Sequence, residues 1–89
     1  MAIKILIVDD EPNQLELLSF NLSKAGYEVI RAEDGQSALD IIEDSHPDLV
    51  ILDWMMPYLS GIELCRTLRA RAETRHLPVI LLSARGDEG

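Results

Sequence analysis

The chain has 89 residues, enough for one domain with a single well-built core, and 16 Asp and Glu against 8 Lys and Arg give a formal charge of −8. That balance disfavours nonspecific contact with nucleic acid through this segment. One cysteine, Cys65, excludes an internal disulfide, no paired Cys and His spacing suggests zinc, and no apolar run approaches the ~18 residues of a membrane span, so a soluble, unexported, cytoplasmic chain is expected.

Ile3 to Val8 is apolar apart from Lys4 and reads as a mostly buried strand, which three acids in a row, Asp9-Asp10-Glu11, bring to an end. Pro12 suits the first turn of a helix, where no backbone donor is needed, and Leu15, Leu18, Leu22 and Ala25 follow at spacings of three and four. Gly26 is expected to end that helix as a left-handed cap. Tyr27 to Arg31 reads as a second strand, and Asp34-Gly35 opens a second helix with Ala38, Ile41 and Ile42 on one stripe, stopping near His46 ahead of Pro47.

Leu49-Val50-Ile51-Leu52 is a short, continuously apolar run, which predicts a strand buried on both faces with Asp53 at its C-terminal end. Ser60 and Glu63 form the pattern of a capping box for a third helix carrying Ile62, Cys65, Leu68 and Ala72. Pro78 starts a fourth strand, Val79-Ile80-Leu81-Leu82, which ends on Ser83 before a polar tail. The predicted order is β-α-β-α-β-α-β without repeats, linkers or an internal boundary. Strands separated by single helices imply parallel pairing through right-handed crossovers.

Periodicity leaves the strand order open. An order of 2-1-3-4 would put the first helix on one face and the other two on the opposite face, with a crevice between strands 1 and 3 that holds Asp9, Asp10 and Asp53. Two carboxylates ~5 Å apart repel by roughly 3 kcal/mol at an effective dielectric of ~20. Either one acid keeps its proton or a divalent cation sits among them, and an all-oxygen set favours Mg²⁺, Mn²⁺ or Ca²⁺ over zinc. A carboxylate beside such a cation can attack phosphorus to form an acyl phosphate, which makes Asp53 the candidate nucleophile. Ser83, ending the neighbouring strand, is placed to donate a hydroxyl hydrogen bond to the phosphoryl group.

Other residues have plainer explanations. Glu16, Glu28, Glu33, Asp40, Glu43, Asp44, Glu73 and Glu88 read as a solvated surface, Cys65 as a core thiol, and His46 and His76 as loop histidines without ligand partners. Trp54 and Met56 are expected to pack the loop after Asp53.

Val8-Asp9-Asp10-Glu11-Pro12, Leu52-Asp53-Trp54-Met55-Met56-Pro57, Ser60-Gly61 and Pro78-Val79-Ile80-Leu81-Leu82-Ser83-Ala84 together resemble the response-regulator receiver domains, over the whole chain. The stretches around Asp53 and Ser83 look like the phosphate-regulon type of the winged-helix transcription-factor subfamily. The resemblance implies a flavodoxin-like, doubly wound parallel α/β sheet, here of order 2-1-3-4, with residues 1–89 forming the N-terminal part of one receiver domain. The family's strand 5, helices 4 and 5, active-site lysine and aromatic switch residue have no counterpart in these residues. By the same resemblance Asp53 is the phosphoacceptor, Asp10 and the Met55 carbonyl are Mg²⁺ ligands, Asp9 reaches the metal through water, and Ser83 is the switch hydroxyl.

The implied function is a non-enzymatic signalling module that takes phosphate from a sensor histidine kinase and controls transcription through a DNA-binding output domain outside these residues. An apolar sheet face and a strand-4 edge left uncovered predict a homodimer or a domain-swapped dimer. Two readings compete. A haloacid-dehalogenase-like phosphatase also uses an aspartate nucleophile with Mg²⁺ but wants a second aspartate two residues on, where this chain has Met55. A non-signalling interaction fragment would use the acids only to solubilise the sheet end. A dinucleotide-binding oxidoreductase is disfavoured because no G-x-G-x-x-G follows the first strand.

Overall fold

The computed structural model describes residues 2–53 and 61–82. Its elements are β1 (Lys4–Val8), α1 (Pro12–Lys24), β2 (Glu28–Ala32), α2 (Gly35–Ser45), β3 (Leu49–Asp53), α3 (Gly61–Ala70) and β4 (Val79–Leu82). The four strands form one parallel sheet of order β2-β1-β3-β4. The chain therefore adds strands to one side of β1 and then to the other, and the reversal falls between β1 and β3.

The pleat divides each strand between two cores. Ile5 and Ile7 of β1 turn toward Leu15 of α1, with Leu18, Leu22, Val29, Leu49 and Ile51 packed around them. Leu6 and Val8 face the other way, into a larger cluster with Ala38, Leu39 and Ile42 of α2, Val50 and Leu52 of β3, and Leu64 and Leu68 of α3. Helix 1 thus covers one face and helices 2 and 3 the other, as a 2-1-3-4 order requires. Among the described residues, no helix is long and apolar enough to cross a membrane.

Helix ends follow from local chemistry. Tyr27 N–H donates to the Leu22 carbonyl and Gly26 N–H to that of Ser23, the paired bonds of a Schellman cap, with Gly26 at φ 104°. The Asp34 carboxylate accepts from Ser37 N–H at 2.8 Å and caps α2, which His46 closes in the left-handed region at φ 51°. The first residue of the expected capping box on α3, Ser60, lies outside the described residues.

Three packing expectations are corrected. Val50 and Leu52 are fully buried, but Leu49 and Ile51 are only half-buried, so β3 is sealed on one face alone. The reason is that α1 packs on β1 and β2 and leaves the same face of β3 partly open. On α3 the buried pair is Leu64 and Leu68, whereas Ile62 is exposed, Cys65 half-buried, and Ala72 exposed beyond the helix end. Apolar residues lie on two adjoining stripes of this helix, and the position of the sheet decides between them. On α1, Ala25 is the exposed C-cap and does not extend the buried stripe. β4, the outermost strand on its side of the sheet among the described residues, leaves Ile80 and Leu81 46% and 43% exposed.

Candidate metal and phosphoryl site

Two of the three acids at the crevice are held by strands. Asp53 is the last residue of β3, and Asp9 follows directly on β1, whose last residue Val8 is in register with Leu52. Asp9 and Asp53 are almost completely buried, at 4% and 5% exposure, while Asp10 is exposed at the rim. One carboxylate oxygen from each of Asp9, Asp10 and Asp53 lies within 4.8 Å of the other two.

Asp9 is held at both its backbone and its side chain. Its N–H donates to the Ala32 carbonyl at 3.1 Å, tying it to the end of β2, and its Oδ1 accepts from Glu11 N–H at 2.9 Å. The second bond is an Asx turn that leads directly into α1, where Glu11 is the N-cap residue and Pro12 opens the helix. Burial pushes the Asp9 carboxyl above its ordinary value of 3.8 and the negative charges of Asp53, Asp10 and Glu11 add to the rise, while the bond from Glu11 N–H opposes it. The sequence reading named the three acids but missed this tether. Its signal was present, since an aspartate two residues ahead of a helix N-cap is the local pattern of such a turn.

The donor set fits a hard cation. Three oxygens no more than 4.8 Å apart leave a point at most about 2.8 Å from each, close to Ca²⁺–oxygen distances of ~2.3–2.6 Å and a short adjustment from the ~2.0–2.1 Å of Mg²⁺. Without an ion, three carboxylates at this spacing repel by roughly 3 kcal/mol per ionised pair. The remaining two residues expected at the site, Met55 and Ser83, lie outside the described residues.

Residues 5–89 match the family model of the response regulator receiver domain. The chain is 50% identical over 88 residues to the phosphate regulon transcriptional regulatory protein PhoB of Rhizobium meliloti, covering 99% of this chain and 39% of that protein. It is 46% identical to the alkaline phosphatase synthesis transcriptional regulatory protein PhoP of Bacillus subtilis, covering 96% of this chain and 35% of the relative. The chain therefore spans less than two fifths of the length of these curated relatives. Among solved structures, it superposes on the response regulator TrrA of Thermotoga maritima, a complex with Mg²⁺-BeF, at a TM-score of 0.87 and 43% identity, covering 94% of this chain and 71% of that one. A response regulator structure from Chloroflexus aurantiacus gives a TM-score of 0.93 at 40% identity, covering 98% of this chain and 71% of that one.

Proposed function

Since the chain belongs to the response regulator receiver family, we propose that it is the phosphoacceptor part of a two-component regulator, with Asp53 as the residue that takes the phosphoryl group. One observation carries this reading: Asp9, Asp10 and Asp53, distant in sequence, bring carboxylate oxygens within 4.8 Å at the C-terminal ends of adjacent strands. The relative solved with Mg²⁺ and a beryllium fluoride supports the choice of metal and of a phosphoryl-like ligand.

In this reading a carboxylate oxygen of Asp53 attacks the phosphorus of a phosphohistidine whose second ring nitrogen is protonated, the P–N bond breaks, and the bonding pair stays with a neutral imidazole, giving an acyl phosphate on Asp53. Mg²⁺, when bound, would neutralise charge on the transferred oxygens. Asp10 and the Met55 carbonyl would hold it directly and Asp9 through water. The Glu11 N–H fixes the Asp9 carboxylate, and the Ser83 hydroxyl would donate to the phosphoryl group. Burial of Asp53 keeps bulk water from competing with this environment.

The donor would be a sensor histidine kinase in the cytoplasm. The output would be transcriptional, through a DNA-binding domain outside residues 1–89, which make up the N-terminal part of the receiver domain and are not themselves an enzyme. Self-association as a homodimer or a domain-swapped dimer is part of the same proposal. The phosphatase alternative is not favoured, because Met55 stands where its second aspartate is needed.

Mass spectrometry after treatment with acetyl phosphate and Mg²⁺ tests the central step. One added phosphoryl group on Asp53, absent in Asp53→Asn, is expected. Unmodified protein, or modification elsewhere, overturns the assignment.

A further inference from the structure

A groove of about 260 Å³ lies at the other end of the sheet, between the C-terminal end of α2 and the turns after α3. A five-residue strand separates the two ends by roughly 15 Å, so occupancy there leaves the carboxylates accessible. The floor is apolar, with Ile42 and Pro47 buried and Leu77 half-buried. The rim carries the acids Glu43 and Glu73 and also Arg71 and His46.

The helix above it adds to this negative charge. The last turn of α2 contains no basic residue, so the partial charge of its carbonyl end reinforces Glu43 instead of being offset within the helix. Two cations from elsewhere answer part of it: Lys4 Nζ donates to the Ser45 carbonyl at 2.7 Å, and Arg71 Nη1 to Glu43 Oε2 at 2.8 Å. Glu73 pairs with no cation among the described residues. Behind it Thr74 is buried, donating its hydroxyl to the Leu68 carbonyl at 2.6 Å and keeping the oxygen as an acceptor.

We propose that this groove seats an arginine side chain from a protein partner, its stem on Ile42, Pro47 and Leu77 and its guanidinium shared between Glu73 and Glu43. The volume falls below the ~300–1,000 Å³ typical of small-molecule sites and matches one long side chain better than a cofactor. A planar fork of donors suits two carboxylates better than a point charge does. Arg71 already shows that Glu43 accepts a guanidinium here, and it acts as the resident competitor. The inference is independent of the phosphoacceptor reading, which concerns the opposite end of the sheet.

Methyl-resolved NMR of the 89-residue chain, titrated with a blocked glycine-arginine-glycine tripeptide, tests it. Saturable shifts at Ile42, Thr74 and Leu77 are expected, with weaker binding of the lysine-containing peptide. Glu73→Gln should weaken binding roughly two- to fivefold, and Arg71→Ala should tighten it by a similar factor by removing the competitor. Arg66→Ala makes the same change in net charge at an exposed α3 position outside the groove, and should leave binding unchanged. The proposal is overturned by an absence of saturable shifts at tens of millimolar peptide, by equal binding of the lysine peptide, or by Arg66→Ala tightening binding as much as Arg71→Ala.

Discussion

Asp9 and Asp53 end adjacent parallel strands, both almost fully buried, with carboxylate oxygens within 4.8 Å of each other. Burial removes the water that would screen them, so in the absence of a cation their proximity costs stability. Asp9→Asn keeps an oxygen to accept from Glu11 N–H while deleting the charge. It should stabilise the metal-free protein by ~1–2 kcal/mol in urea unfolding. A destabilised Asp9→Asn protein would mean that the acids do not oppose one another as placed.

The pH dependence has a definite sign. A carboxyl with a raised folded pKa binds more protons folded than unfolded, so the favourable contribution of Asp9 is fully present below 3.8 and is lost as pH rises through the higher folded value. Metal-free urea midpoints measured upward from pH 3.8 should therefore decline less steeply in Asp9→Asn than in the parent. Parallel profiles for the two proteins would remove Asp9 as the cause.

Adding Mg²⁺ should increase the unfolding free energy by ~2.7 kcal/mol at a hundredfold excess over the dissociation constant, and raise the midpoint accordingly, because only the folded chain gathers the three acids. Trp54, next to Asp53 in the sequence, provides a fluorescence signal for the same titration. Asp53→Asn should blunt both responses, and an equal response in that variant would place the ion elsewhere.

The two stripes of α3 can be told apart by truncation. Leu64→Ala, at a fully buried position, should cost ~2–5 kcal/mol, and Ile62→Ala under ~1 kcal/mol. Comparable losses at the two positions would mean that the helix is rotated from the orientation described.

Gly26→Ala isolates a backbone effect. A Cβ at Gly26 would meet no atom within 4 Å, so the expected loss of ~1–2 kcal/mol comes from φ 104° alone. Unchanged stability on denaturation would show that the Schellman turn tolerates a side chain.

Much of the fold was legible because β3 and β4 are short apolar runs, β1 is one apart from Lys4, and two helices carry their own punctuation: Pro12 and Gly26 around α1, and Asp34 and His46 around α2. The reversal at β1 was not legible in the periodicity, and the order 2-1-3-4 was implied by the family resemblance. Which stripe of α3 is buried was not legible, since Ile62 and Leu64 are equally apolar and only the sheet distinguishes them. The half-burial of Leu49 and Ile51 was hidden for a related reason, because a run of apolar residues does not reveal how far a neighbouring helix reaches. Asp9, Asp10 and Asp53 stood out as acids at the ends of apolar strands. The backbone groups of Glu11 and Ala32 that hold Asp9 did not, because every residue carries such groups.

The central place of β1 also affects the order in which the nascent chain can organise itself. Its partners, β2 and β3, both follow it in the sequence. Neither edge of Ile5-Leu6-Ile7-Val8 can pair until a later stretch of chain exists, so the centre of the sheet closes on both sides only once Leu49–Asp53 is available.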